Sequence, residues 1–443
     1  MVVDVLEESR GRPNDLALIS PEEAWTYSAL SKAVGQRSRA LEGDGVGSGD
    51  SVPITLEPDA AGVVELLAVW RRGAVAVPLN PGLTGREMAL ARNRIIGASL
   101  PERTQVVLWT SGTSGNPRGV ALSFDNLAAS ARGATGRLTL GADDVWLASL
   151  SPAHVGGLAL VVRSILLGGA LVVTGPFRDR VVSDLIDGVG LPDDVDVRLT
   201  HMSLVPTQLI RLLDRRQGRP PPASFRCALI GGAHAPAGLV ERALHEGWPL
   251  ALTYGATEMS SQIATAEPAT TRRKPGTVGA PMPGVEIRID DDGEISACGP
   301  TVALGYIGEG VGSITDGEGW YRTGDLGHVD DDGDLWITGR RIDRIVSGGV
   351  TIDAVEVEEA LRSHPTVLDA CVVGVPDEEW GEKVGVWIEP VVGEFDVEEV
   401  EADLRDRLSG PKLPRIWYVH GALPRNPNGK VDRVRVRAAL ESR

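Results

Sequence analysis

The sequence predicts an α/β fold: a large N-terminal domain of helix-covered, mostly parallel sheets with an antiparallel β subdomain, then a small mobile α+β C-terminal domain. Three observations predict it. Between residues 52 and about 255, short β-branched runs alternate with amphipathic stretches, the rhythm of parallel sheets covered by helices. After Tyr254 the texture changes to alternating strand pairs around Asp-Gly turns. Beyond residue 340 about 100 residues of mixed α and β pattern remain, enough for a small independent domain.

The elements follow in order. SVPITL at 51–56 precedes the helical run AAGVVELLAVWRRG at 60–73, then AVAVPLN at 74–80 and a helix through REMALARNRI at 86–95. VVLWT, GVALS, VWLASL, ALVVT, VRLTHMS, CALIGG and LALTYG continue to residue 255, each followed by a helix-like segment or a glycine turn. VEIRIDDDGEISACG at 285–299 and GHVDDDGDLWITG at 327–339 read as two β-hairpins. GRRIDRIVSGGVTI at 339–352 leads into helix VEVEEALRSH, strands DACVVGV and VGVWIEP, helix VEEVEADLRDRLS and strand RIWYV. The boundary falls near Gly339 to Arg344, dividing the chain into residues 1–340 and 341–443.

With 443 residues, 42% of them hydrophobic, the chain is long enough for two or three domains with sizeable cores. A net charge of −17 argues against a nucleic-acid partner, because phosphate backbones are bound by concentrated Lys and Arg. The acidic start MVVDVLEESRGRPND lacks a basic segment followed by an apolar run, and no stretch approaches the roughly 18 apolar residues of a membrane helix. Cys227, Cys298 and Cys371 lie far apart, without the spacing of a disulfide framework or a zinc site, which fits a reducing compartment. A cytoplasmic location without membrane contact is expected, and a homo-oligomer is left open. Only five of the 44 basic residues are lysines (Lys32, Lys274, Lys383, Lys412 and Lys430), so each invites a question.

LWTSGTSGNPRGVALS at 108–123 sets a Gly/Ser/Thr-rich loop between two apolar strands. Such a loop brings backbone N–H groups and hydroxyls close to a ligand, which suits polyphosphate oxygens. As an isolated feature it is more often a flexible turn, and it does not match the P-loop pattern G-x-x-x-x-G-K-[ST]. TSGTSGNPRG instead resembles the phosphate loop of the adenylate-forming superfamily of acyl- and aryl-CoA ligases, T-S-G-[ST]-[ST]-G-x-P-K-G, with Arg118 where that family has lysine. The charge is kept while reach and geometry change. The resemblance implies that Thr110, Ser111, Gly112, Thr113, Ser114 and Gly115 cradle ATP phosphates and that Arg118 counters their charge.

Further motifs follow in the family's order. GGA at Gly231, Gly232 and Ala233 resembles its adenine-contacting segment, and YGATE at 254–258 resembles Y-G-x-T-E. That likeness implies Tyr254 stacked on adenine, Gly255 in the nucleotide loop, Thr257 on phosphate and Glu258 on Mg²⁺, a hard cation that takes carboxylate and phosphate oxygens. YRTGD resembles the ribose motif, implying that Asp325 accepts both ribose hydroxyls, and GRRIDRI resembles the hinge motif, implying Arg340 near the ribose with Ile342 and Asp343 at the pivot. PRNPNGKVDR resembles P-x-x-x-x-G-K, whose lysine, here Lys430, reaches into the active site. Taken singly, Asp325 would be a turn residue, the Thr-Glu pair a helix start and Lys430 a solvated side chain; their ordered set carries the reading.

The acyl site falls between the phosphate loop and YGATE. LSPAHVGGLALVVRSILLGGA, HMSLVPTQLIRLL and YGATEMSSQIAT resemble the o-succinylbenzoate–CoA ligase branch of the family, as does the compact chain. This implies ATP, Mg²⁺ and coenzyme A, a menaquinone-pathway reaction, and a small aromatic acid whose second carboxylate needs a cation or donors. The helix after SPAHVGG places Arg163 over two turns in, on an apolar face, where a charge is costly unless paired. An anionic ligand is one partner for it; a snorkelling or ion-paired arginine is the other reading. His154 is assigned to the acyl pocket, its alternative being a structural histidine. Ser260, Ser261 and Gln262 are read either as donors to the benzoyl end or as a polar helix start. Rival readings are another aryl- or fatty-acyl-CoA ligase, an amino-acid-adenylating enzyme, disfavoured because SPAHVGG carries no carboxylate for an α-amino group, and a non-catalytic nucleotide-binding protein, against which Glu258 and Lys430 argue.

Overall fold

In the computed structural model, residues 6, 12–110, 118–192, 195–307, 313–391, 395–426 and 429–442 are described. Ser111, Gly112, Thr113, Ser114 and Gly115 lie outside these residues, as does the side chain of Ile342.

Among the described residues four sheets organise the fold. The largest has eight strands, in the order Ser261–Thr265, Leu250–Ala256, Cys227–Ile230, His201–Leu204, Val145–Ala148, Ala170–Val173, Leu16–Ile19 and Ala24–Thr26, parallel except at its two edges. A second has five: Gly305–Ile307, Arg118–Ser123, Thr104–Thr110, Val75–Leu79 and Ser51–Thr55. Between the two sheets lie helices Tyr27–Gly43, Ala60–Arg71, Phe124–Leu138 and Val155–Leu167, whose apolar faces join both sheets in one core. The outer face of the first sheet is covered by helices Asp179–Ile186, Pro206–Arg216 and Ala237–His245, and that of the second by Gly85–Ile95. The result is a five-layer stack in which central strands such as Val145–Ala148 are buried along their whole length, the expected outcome for parallel strands clad on both faces.

Local sequence sets these helices. Thr26 and Asp59 cap the helices that follow them, and Thr84 with Glu87 and Ser123 with Asn126 form reciprocal capping boxes, satisfying N–H groups that a first helical turn leaves open.

The two Asp-Gly hairpins are present: Glu286–Ile289 pairs with Glu294–Cys298 and Tyr321–Val329 with Leu335–Arg340, joined in a four-stranded antiparallel sheet. The C-terminal strands Arg344–Ser347, Val350–Asp353, Val367–Asp377, Gly381–Pro390 and Ile416–Val419 form a further sheet with cores of its own. Helices Ala354–Arg362 and Val397–Arg407 pack on one face and Arg433–Glu441 on the other. Among the described residues no helix is long and apolar enough to cross a membrane.

Candidate active site

The nucleotide motifs converge. Asp325 and Arg340 face each other across the hairpin Tyr321–Val329/Leu335–Arg340, and Arg340 Nε donates to Asp325 Oδ1 at 2.7 Å. The Tyr254 hydroxyl donates to Asp325 Oδ2, also at 2.7 Å. Tyr254 comes from the strand next to the edge of the eight-stranded sheet, so a carboxylate from one sheet is gripped by a phenol from another. Burial, then the Asp325 charge, push the Tyr254 hydroxyl far above its ordinary range, keeping it a donor.

Glu258 lies in the 3₁₀ turn Thr257–Met259 immediately after that strand. Its Oε1 accepts from the Tyr306 hydroxyl at 3.0 Å. The Arg118 guanidinium stands over the Tyr306 ring, 5.4 Å from its centroid, because Tyr306 pairs with Val120 across the strand that Arg118 opens. Tyr306 therefore joins the phosphate-loop arginine to the acidic turn. No motif marked it; the signal was one aromatic residue among the small residues of TVALGYIG.

Lys430 enters this cleft from the C-terminal region. Its side chain keeps solvent access while protein atoms crowd it. That crowding, then the Arg340 charge, lower its pKa, with Asp325 and Glu258 opposing. Two carboxylates and two cations from distant segments thus act on one another here. Asp343, on the 3₁₀ turn Arg341–Asp343, accepts an ion pair from Arg433 at 3.2 Å, and His234 meets Glu359 at 2.7 Å.

The glycine segment sits at the strand end leading into the same edge. A Cβ on Gly231 would lie 2.6 Å from Thr253 Cγ2, and Gly232 has φ +79°, so only glycine keeps these strands together. Ala233 is exposed beyond it, and Gly255 occupies a register shift in the strand carrying Tyr254. Thr110 donates to the Arg118 carbonyl at 3.4 Å, joining the two strands that flank residues 111–117. Thr257 is half-buried beside Glu258.

The acyl-site residues separate into two groups. His154 precedes helix Val155–Leu167, and its Nε2 lies 2.9 Å from Asn80 Nδ2. Arg163, 1% exposed, donates through Nη2 to Gln262 Oε1 at 2.6 Å and stands 5.0 Å from the centre of the Trp146 ring. Its Nε and Nη1 are buried without a hydrogen-bond partner among the described residues. Burial lowers its pKa to about 10, leaving it cationic near neutrality. Asn80, Trp146 and Gln262 as the immediate neighbours of His154 and Arg163 were not legible from spacing, because each arrives from another strand.

Two expectations need correction. Ser260 is fully buried and gives its hydroxyl to the Thr301 carbonyl at 2.8 Å, a structural bond that leaves it no donor for an acid. Ser260 to Gln262 do not open an ordinary helix either. Ser260 (φ +53°) and Ser261 (φ +115°) carry left-handed backbone into the strand Ser261–Thr265, a strained conformation of the kind that concentrates at functional sites. Ser261 remains half-exposed at the start of that strand.

Comparison with known proteins gives the family and the fold. The family model described as AMP-binding enzyme matches residues 6–95 and 97–307, and that of the AMP-binding enzyme C-terminal domain matches 356–430. The 2-succinylbenzoate–CoA ligase of Bacillus cytotoxicus is 33% identical over a 478-residue alignment covering 97% of each chain; that of a Geobacillus species is 31% identical, covering 95% of this chain and 94% of its own. Among solved structures, o-succinylbenzoate CoA synthetase from Bacillus subtilis with its acyl-adenylate intermediate has a TM-score of 0.88 and 29% identity, with 98% of both chains covered. The same enzyme with ATP and magnesium has a TM-score of 0.88 and 28% identity, with 99% of each chain covered. With its motifs, its fold and both parts of the family model in agreement, the chain belongs to the AMP-binding enzyme family of adenylate-forming ligases.

Proposed function

We propose that this protein is an acid–thiol ligase that converts 2-succinylbenzoate, ATP and coenzyme A into 2-succinylbenzoyl-CoA, AMP and pyrophosphate in menaquinone biosynthesis. The observation that carries the choice of acid is Arg163, a buried cation with two donor nitrogens unpartnered among the described residues. An acid with one carboxylate to activate and a second at its far end meets that demand, whereas a fatty acid would bury an apolar tail against a guanidinium. The names of the relatives support the same choice.

The chemistry follows from the charges. A substrate carboxylate oxygen attacks the α-phosphorus of ATP, the bond to the bridging oxygen breaks, and pyrophosphate leaves. Two anions must approach, so cations at the cleft govern the rate. Lys430 is placed to neutralise the α-phosphate and acyl oxygens, and Arg118 the departing phosphates. Asp325, fixed by Arg340 and Tyr254, is assigned to the ribose hydroxyls, and Gly231–Ala233, Tyr254 and Gly255 to the adenine. Glu258, a carboxylate steadied in the cleft by a phenol, fits a magnesium ion bound with ATP, which would screen the phosphate charge. The coenzyme A thiol then attacks the acyl carbon and AMP leaves.

We divide the chain at residues 1–340 and 341–443, with Ile342 and Asp343 as pivot for a swing between the two half-reactions. The contact His234–Glu359, which crosses this division, is consistent with a docked state for adenylation. We place the protein in the cytoplasm, where ATP and coenzyme A are available and where reducing surroundings suit its three free cysteines.

The test is pyrophosphate release from ATP and Mg²⁺ with 2-succinylbenzoate, benzoate, medium-chain fatty acids and amino acids, each with and without coenzyme A. Release confined to 2-succinylbenzoate supports the reading. Release with another acid of the set keeps the reaction class and removes the substrate.

A further inference from the structure

We propose that Asn80 is a positioning residue that holds His154 as the neutral imidazole protonated on Nδ1, so that this ring meets the acid as a hydrogen-bond donor and not as a base. The role at the acid rests on the acyl-site reading above; the tautomer does not.

The argument runs from a backbone group that cannot change its role. Asn80 follows strand Val75–Leu79 of the five-stranded sheet, and its Oδ1 accepts from the Gly82 N–H at 2.8 Å. A backbone N–H only donates, so the amide oxygen must be the atom facing Gly82. The amide nitrogen therefore faces His154, with Nδ2 2.9 Å from Nε2. Since Nδ2 carries only donors, Nε2 must be the acceptor, and in a neutral ring the proton then resides on Nδ1. A backbone bond two residues away thus fixes the protonation of a ring on another element.

Two further features agree. His154 is the N-cap of helix Val155–Leu167, yet its side chain makes no capping bond; an Nδ1 that carries a proton has no lone pair to offer the helix N–H groups. An imidazolium there would oppose both the Asn80 amide protons and the partial positive charge of the helix N-terminus. The pair also spans the molecule's two principal sheets: Asn80 extends a strand of one, and His154 follows the strand Val145–Ala148 of the other. A ring held this way has a defined orientation at the point where the sheets face each other.

The experiment uses the full-length protein labelled with ¹⁵N-histidine, the His154 signals being identified by their loss in His154→Asn. Long-range ¹H–¹⁵N correlation spectra at neutral pH are expected to show the Nδ1–H tautomer. Asn80→Asp keeps the size and the bond to Gly82 but presents an acceptor, so the proton is expected to move to Nε2. The catalytic efficiency for the acid should fall about tenfold, the scale of one misplaced hydrogen bond, while the KM for ATP stays unchanged. A merely structural role for Asn80 would alter stability without moving the proton. An Nε2–H tautomer in the unaltered protein overturns the proposal, as does Asn80→Asp leaving the tautomer unmoved. Because the spectra need no substrate, a failed acid panel alongside the expected tautomer would remove the choice of acid and leave the Asn80 assignment standing.

Discussion

The Tyr306 hydroxyl donates to Glu258 at 3.0 Å while the same ring carries the Arg118 guanidinium on its face. One side chain thereby orients the carboxylate assigned to magnesium and the cation assigned to phosphate. Burial, then Glu258, push the Tyr306 hydroxyl up to about 12, so it stays a donor at any working pH. Tyr306→Phe keeps the ring and removes the bond. The expected result is a magnesium half-saturation raised about fivefold, matching the ~1 kcal/mol of one hydrogen bond, at an unchanged KM for the acid. A magnesium titration of pyrophosphate release reads it.

Arg118→Lys restores the family's usual residue, yet here it should slow adenylation. The planar guanidinium lies over an aromatic face that an ammonium uses less well, a difference of about 0.5–1 kcal/mol, or roughly two- to fivefold. In a Tyr306→Leu background the Arg and Lys forms should become equal. A double-mutant cycle on ATP–pyrophosphate exchange measures the coupling, and a value of zero would separate the two residues.

Lys430 must be protonated to act on phosphate oxygens. Crowding in the cleft and the Arg340 charge lower its pKa, so adenylation is expected to decline as pH rises through a value below that of an ordinary lysine. Removing the like charge with Arg340→Gln should move that alkaline limb upward. Lys430→Ala should reduce adenylation by about 100-fold or more while sparing thioester formation from supplied acyl-adenylate. Equal loss of both half-reactions in a folded variant would remove the assigned role.

Arg163→Met removes a buried guanidinium whose Nε and Nη1 lack partners among the described residues. Replacing a buried charge with an apolar side chain of similar length is often neutral or stabilising, so the melting temperature is expected to hold or rise. The KM for 2-succinylbenzoate should rise about 30-fold or more, from ~2 kcal/mol of lost charged hydrogen bonding, with the KM for ATP unaltered. An unchanged acid KM would place the second carboxylate elsewhere.

His201 is stacked on Trp146 at 4.7 Å, and burial, followed by the Arg163 charge, lowers its pKa from 6.5 to about 4. Asp144 lies 3.5 Å from its Nδ1 but also pairs with Arg226. The native state favours neutral imidazole, so the unfolded chain binds the extra proton first. The resulting stability is whole above pH 6.5 and is lost as pH falls to about 4, amounting to about 3 kcal/mol. His201→Gln should flatten the acid limb of denaturant stability measured across that interval.

The parts legible in the sequence were those in which chemistry is local. Asp-Gly turns marked both hairpins, and Asp325, Glu258 and Lys430 stood out because each lies in a short ordered motif. Strands Leu16–Ile19 and Ala24–Thr26 and the helix Tyr27–Gly43 escaped notice, being brief or weakly patterned elements completed by pairing with Ala170–Val173. Tyr306, Asn80 and Trp146 were missed for a related reason: each acts through a cross-strand or inter-sheet neighbour that no periodicity within its own segment reveals. Ser260 looked like a donor by its proximity to Glu258, but left-handed backbone turns its hydroxyl to Thr301.

Lys274 bonds Asp330, Asp332 and Asp334 at 2.8, 2.5 and 2.9 Å, and these aspartates are the one cluster of three or more His, Cys, Asp or Glu side chains among the described residues close enough together to share a metal ion. The hairpin loop therefore carries a covalently tethered counter-ion. A divalent ion entering this loop must displace the Lys274 ammonium.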